Sequence, residues 1–223
     1  MTTAQHRPRS RGITTIELMA GTALSLILLS SLVTFQQAQL KATAVQNLYS
    51  ESQNVTRTAI DLMSRELRMA AYDPKGTAIV PLSPGPTCPG VIQGIVSATP
   101  TSLRFQQDLD GDGTINTAGE DVTYALSNGD LTRRDGANPA VSVVTNLGSS
   151  GLAFRYFDGS NPPIELVPAG TPPALNQGQR ACVNKIRMVV QASIANPYNA
   201  SLPLLSSAES EVAIRNRSLT CCF

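Results

Sequence analysis

Residues 13–40 read ITTIELMAGTALSLILLSSLVTFQQAQL, and the fold of the chain turns on this stretch. From Leu18 to Leu40 it holds 23 consecutive uncharged residues without a proline. At 1.5 Å per residue a helix of that length spans about 35 Å, enough for a bilayer core of about 30 Å. Arg7, Arg9 and Arg11 precede it, and no basic residue follows until Lys41. That asymmetry predicts a single-pass segment with a cytoplasmic N-terminus.

Beyond Leu40 the pattern stays helical but changes character. Only Pro8 of the 15 prolines, and only Gly12 and Gly21 of the 16 glycines, come before residue 74. Such a distribution suits a long uninterrupted helix. Between Lys41 and Tyr72, the residues Leu48, Val55, Ala59, Leu62, Met63, Leu67 and Ala70 recur at three- and four-residue steps. They predict an amphipathic half whose stripe packs on a sheet. Arg57–Asp61 and Asp61–Arg65 are expected as i,i+4 ion pairs on the opposite side. Uninterrupted from residue 13 to 72, the helix would be about 90 Å long.

From residue 74 onward short β-branched runs alternate with Pro, Gly, Asn and Asp clusters, the mark of a β-rich domain of about 150 residues. Cys182, Ile186, Met188, Val190, Ala192 and Ile194 share one parity, with Lys185, Arg187, Gln191 and Ser193 on the other, as in a half-buried strand. The expected architecture is therefore α+β, a long N-terminal helix packed on an antiparallel sheet. Its divisions are 1–12, 13–40 in the membrane, 41–73 as the amphipathic half, and 74–223 as the globular domain.

The 223 residues carry 17 Lys+Arg against 16 Asp+Glu and only 15% charged residues. This balance argues against nucleic acid, whose binders show a basic footprint. The single histidine, His6, sits in the basic N-terminal run, which disfavours His-dependent triads and multi-His metal sites. Asp61/Glu66 and Glu209/Glu211 lack any partner motif for acid–base work and read as solvated surface charges. No enzymatic activity is expected.

Two groups of residues could carry local chemistry. Asp108, Asp110, Asp112, Gly113, Thr114 and Asn116 follow the first nine positions of an EF-hand-like calcium loop. Gly119 stands where the bidentate acid belongs, with Glu120 just after it, and the flanks Leu103-Arg104-Phe105 and Val122-Thr123-Tyr124 read as strands instead of helices. The readings left open are a structural Ca²⁺ held by Asp108, Asp110, Asp112, Thr114, Asn116 and Glu120, and a solvated Asp-Gly hairpin turn. No other cofactor is required. The four cysteines, Cys88, Cys182, Cys221 and Cys222, invite disulfides in a domain outside the cytoplasm. Of three possible pairings, the two that avoid the strained vicinal bond tie the C-terminus to Cys88 and Cys182; one bond plus free thiols is the alternative.

Glu17 is the one charge in the wrong place, since a carboxylate at the head of an apolar segment is costly unless paired. Its surroundings, Arg11-Gly12-Ile13-Thr14-Thr15-Ile16-Glu17-Leu18, resemble the N-terminal signature of type IV pilins and pseudopilins. The resemblance implies a pilin-like fold and cleavage by the prepilin peptidase between Gly12 and Ile13. It further implies N-methylation of Ile13 and an assembly role for Glu17, the fifth mature residue. A carboxylate there can neutralise the terminal ammonium of a neighbouring subunit and set axial register. The leader would remove His6, Arg7, Arg9 and Arg11, leaving an acidic mature chain without histidine.

Arg65-Glu66-Leu67-Arg68-Met69-Ala70-Ala71-Tyr72, the acidic loop with Glu120-Asp121-Val122-Thr123-Tyr124, and Val212-Ala213-Ile214-Arg215-Asn216-Arg217 are similar to stretches of PilW-type minor pilins. Thr15 and Thr34 depart from major pilins, and the chain is longer than a typical one. The implied role is a minor pilin that initiates or primes pilus assembly. Its implied partners are other major and minor pilins, the prepilin peptidase and the inner-membrane assembly platform. It would sit in the bacterial inner membrane with its domain periplasmic, then enter the pilus. Alternatives are a J-type minor pseudopilin of type II secretion, a pilus-associated adhesin, and a secreted protein cut near Ala42-Thr43-Ala44.

Overall fold

The computed structural model describes residues 12–79, 94–199 and 201–216. The chain divides into two units, Met1–Gln46 and Asn47–Phe223. One helix, α1 (Thr15–Leu67), begins in the first unit and ends in the second. Among the described residues it is the one helix long and apolar enough to cross a membrane.

In the first unit no side chain from Gly12 to Lys41 is buried. The hydroxyl groups from Thr22 to Thr34 are satisfied within the helix. Thr22 donates to the Met19 carbonyl (3.0 Å), Ser25 to Gly21 (2.8 Å), Ser30 to Ile27 (2.9 Å), Ser31 to Leu28 (2.8 Å) and Thr34 to Ser31 (2.8 Å). This is the arrangement an apolar solvent demands, because lipid supplies no partner for a polar group.

In the second unit β1 (Ile95–Ala98), β2 (Ser102–Gln106), β3 (Asp121–Ser127), β4 (Asp130–Asp135) and β5 (Val141–Val144) form a five-stranded antiparallel meander in chain order. A second antiparallel sheet of four strands follows the order β7 (Glu165–Leu166), β6 (Leu152–Phe157), β8 (Lys185–Ile194), β9 (Leu204–Ala213). There are thus two sheets where the sequence suggests one. Local chemistry sets the meander: β3 and β4 are joined at Asn128-Gly129, with φ of 53° and 82°, the two positive values of a tight hairpin turn.

Leu103, Phe105, Val122 and Tyr124 alternate inward, and the Phe105 and Tyr124 rings stack with centroids 6.4 Å apart. Ala59, Ile60, Met63 and Leu67 of α1 share one buried core with these residues and with Phe154, Tyr156, Ile186, Met188 and Val190 of the second sheet. Burying each large apolar side chain contributes about 1.5–3 kcal/mol.

Several expectations need correction. The amphipathic stripe is shifted: Leu48, Val55 and Leu62 are only half-buried, while Ser52, Thr56, Ile60 and Ser64 lie in the core face. Small hydroxyl side chains permit close approach of helix and sheet, and Thr56 meets Ser206 of β9 at 3.4 Å. The helix stops at Leu67, short of Tyr72. The Ala71 amide is taken by the Gln106 carbonyl (2.9 Å), and Ala71 turns to a φ of 65°. Gly94 lies so close to Ala71 that any side chain there would overlap it. Cys182 closes a short helix, α2 (Gln177–Cys182), instead of joining β8; Asn176 and Gln179 cap that helix reciprocally. Among the described residues neither Arg57–Asp61 nor Asp61–Arg65 forms an ion pair.

Glu66 is likewise no free surface charge. Its Oε2 accepts the Tyr124 hydroxyl (2.8 Å), and both oxygens accept Arg133 Nε at 3.1 Å. Burial first, then the neighbouring Glu66 charge, pushes the Tyr124 hydroxyl far above its usual value. On the second sheet Glu211 pairs with Lys185 at 3.1 Å and with Arg187.

Replacing Glu66 with Ala strands a buried hydroxyl and a half-buried guanidinium. It should cost about 2–3 kcal/mol in urea unfolding of the Asn47–Phe223 unit, against about 1 kcal/mol for Tyr124→Phe. Equal, negligible losses in both variants would contradict this account of the network.

Candidate functional site

The first candidate is the start of α1. Gly12, Ile13 and Thr14 precede the helix and are exposed. Gly12 does not have a positive φ, and a side chain at its position would meet nothing within 4 Å, so the fold itself does not require glycine there. Thr14 and Glu17 form a capping box. The Glu17 amide donates to Thr14 Oγ1 (3.3 Å), while Glu17 Oε2 accepts the Thr14 amide and hydroxyl, both at 3.0 Å. The other oxygen, Oε1, accepts no hydrogen bond among the described residues. Sequence reasoning missed this role of Thr14, although the pattern Thr14-Thr15-Ile16-Glu17 carries its signature: a hydroxyl residue followed three positions later by a glutamate. Arg7, Arg9 and Arg11 lie outside the described residues.

No family model, no curated protein and no solved structure matches this chain.

The second candidate is the connection between β2 and β3. The register Phe105↔Val122 and Gln106↔Asp121 makes residues 107–120 the loop of a hairpin, with strands on both sides as the sequence indicates. Of the four acids among the six proposed ligands the structure brings together three, Asp108, Asp110 and Glu120, and leaves the Asp112 carboxylate outside the group. Asp108 and Glu120 are fully buried. Asp108 accepts the amides of Gly111 (2.7 Å) and Gly113 (3.0 Å), and Glu120 those of Leu109 (3.0 Å), Asn116 (2.9 Å) and Thr117 (2.8 Å). Burial works to raise the Glu120 carboxyl, but these amides outweigh it and hold it below its usual value.

Asp112, Thr114 and Asn116 are exposed, and their side chains bond to one another, while the Asp112 amide donates to Asp110 Oδ1 (3.0 Å). Asp112 Oδ1 accepts the Thr114 amide and hydroxyl, both at 2.7 Å, and Oδ2 accepts Asn116 Nδ2 at 3.1 Å. The Lys75 ammonium donates to the Asp112 carbonyl at 3.0 Å. The loop is anchored at both ends. The Asp108 amide donates to the Tyr72 carbonyl (2.7 Å), and the Gly119 amide to the Asp135 carboxylate (2.9 and 2.8 Å).

Of the cysteines, Cys182 is disulfide-bonded. Cys88, Cys221 and Cys222 lie outside the described residues.

The turn that carries Lys75 against the loop hangs on Asp73, whose carboxylate accepts the amides of Gly76 (2.7 Å), Thr77 (3.3 Å) and Ile79 (2.9 Å). Desolvation acts to raise its carboxyl, yet the amides of Ile79, Gly76 and Thr77 bring it below the usual 3.8. A folded value below the unfolded one means the charge stabilises above about pH 4 and ceases to do so as the pH falls through the folded value. Asp73→Asn should therefore melt a few degrees below the parent Asn47–Phe223 unit at pH 7. The gap should close as the pH falls through the folded value; a gap of equal size at pH 7 and in acid would contradict the assignment.

Proposed function

We propose that the chain is a membrane-anchored structural subunit of the type IV pilin superfamily, a minor pilin that initiates or primes pilus assembly. The observation that carries the reading is the unburied apolar surface of α1. Leu24, Leu28, Leu32 and Phe35 are all at least half exposed, on a helix segment whose hydroxyl groups from Thr22 to Thr34 are already satisfied. Such a surface needs lipid before assembly and other subunits after it. Gly12 supports the reading from a second side: a glycine that the fold does not require, placed before Ile13, suits recognition by a processing peptidase.

Glu17 fits as the register residue. One oxygen is held by Thr14, which fixes the rotamer, and the other is available to the methylated terminal ammonium of an adjacent subunit. Its partners on this reading are major and minor pilins, the prepilin peptidase and the assembly platform of the inner membrane. The domain is then periplasmic before extraction into the filament. No catalytic step is assigned.

Expressed with its peptidase, the protein should yield a mature form beginning at N-methylated Ile13 by mass spectrometry. Gly12→Asp should accumulate the precursor; normal maturation of that variant, or a start near Val45, would overturn the reading. For Glu17 the informative variant is Glu17→Gln. Glutamine can serve the capping box as glutamate does but brings no charge. Processing should be normal and incorporation into filaments should fall by about tenfold or more, one decade per ~1.4 kcal/mol of lost pairing. Incorporation of Glu17→Gln at parental levels would remove the charge from the mechanism.

A further inference from the structure

The acidic loop holds a feature that its hydrogen bonds do not explain. Carboxylate oxygens of Asp108, Asp110 and Glu120 lie within 4.8 Å of one another. Oxygens bound to one Ca²⁺ at about 2.4 Å can be up to about 4.8 Å apart, so the three carboxylates are close enough to share one ion. Asp108 and Glu120 are fully buried, and among the described residues none of the three acids is ion-paired. The Lys75 ammonium serves the Asp112 carbonyl instead.

Gln107 is the independent observation. Its amide donates to the Glu120 carbonyl (2.9 Å), continuing the β2–β3 ladder, so Gln107 stands across from Glu120. Strand alternation puts both side chains on the face that also carries Phe105 and Val122. Gln107 is 3% exposed. Its Nε2 is spent on the Gly119 carbonyl (2.7 Å), and its Oε1 has no partner. A buried carbonyl oxygen without a donor, beside a buried carboxylate, is costly in a protein interior and is a ligand type that calcium takes.

We propose that Asp108, Asp110 and Glu120, with Gln107 Oε1 on the same side, bind a Ca²⁺ ion. Asp112, Thr114 and Asn116 take no part in this site, which differs from the EF-hand-like set. Two anchors hold the site: the Asp108 amide on the Tyr72 carbonyl, shortly after α1, and the Gly119 amide on Asp135 of β4. The inference is independent of the filament reading, since it concerns the Asn47–Phe223 unit alone.

The test uses the full chain in detergent, stripped with EDTA and titrated with CaCl₂ or MgCl₂ by calorimetry and thermal melting. Calcium should bind with a Kd of about 10⁻⁴–10⁻³ M, the range of extracellular sites, and more tightly than magnesium. At about ten times Kd the melting temperature should rise by about 3–5 °C. Asp110 is exposed, so Asp110→Asn leaves the fold intact and should weaken binding about tenfold or more. Asp112→Asn should bind as the parent does. The proposal is overturned if the parent shows neither heat nor shift, or if Asp110→Asn binds like the parent. A loss in Asp112→Asn equal to that in Asp110→Asn overturns it too, in favour of the whole-loop set.

Discussion

The Glu66 carboxylate is the constraint on which the Asn47–Phe223 unit depends. It sits one residue from the end of α1 and is held at the same time by Tyr124 of β3 and Arg133 of β4. Apolar packing brings a helix to a sheet but leaves it free to slide by a fraction of a turn, because burial is non-directional. Three hydrogen bonds to one carboxylate remove that freedom. Arg133 also lies 3.5 Å from Asp135, which holds the Gly119 amide at the far end of the acidic loop. The helix end, the meander and the loop are thus fixed by one continuous set of charge-assisted bonds, each stronger than its neutral counterpart.

That network also shows where the sequence is legible and where it is not. The apolar run from Leu18 to Leu40, the proline-free helical region and the strand alternation at Leu103–Phe105, Val122–Tyr124 and Ile186–Ala192 are local patterns, and the structure follows them. Glu66 reads as a surface charge because its partners are 58 and 67 residues away, a separation that no periodicity encodes. The helix end escapes for the same reason. Met69, Ala70 and Ala71 are sound helix formers, and it is the Gln106 carbonyl that draws Ala71 out of the helix. In the loop, spacing alone groups six ligands, whereas the turn leaves the Asp112 carboxylate outside the group formed by those of Asp108, Asp110 and Glu120.

Hydroxyl residues behave differently in the two halves of α1, and the difference is informative. Between Thr22 and Thr34 each of the five serines and threonines returns its hydroxyl to a carbonyl three or four residues back. Against the sheet, Ser52 and Ser64 are buried with hydroxyls that have no partner. A hydrophobic-stripe reading ranks both groups as polar and expects both outside. In the first half they are compatible with an apolar surrounding because they hide their own polarity; in the second, Ser52 and Ser64 lie in the core face with hydroxyls unpartnered among the described residues.

The capping box changes how the charge at Glu17 is to be understood. A carboxylate entering an apolar environment without a partner loses hydration worth several kcal/mol after relaxation. In the single chain, part of that loss is offset by Thr14, which gives Oε2 two donors, and by the positive end of the helix. The charge itself is not neutralised by neutral donors, so under the proposed filament role its burial would still call for a cation, and Oε1 would be the oxygen left to receive it. Capping and pairing therefore do not compete for the same atom. The cap orients the carboxylate within the single chain; under the proposed filament role this would lower the ordering cost of an ion pair with a neighbour, and a pair so oriented would discriminate between axial registers more sharply than a freely rotating side chain could.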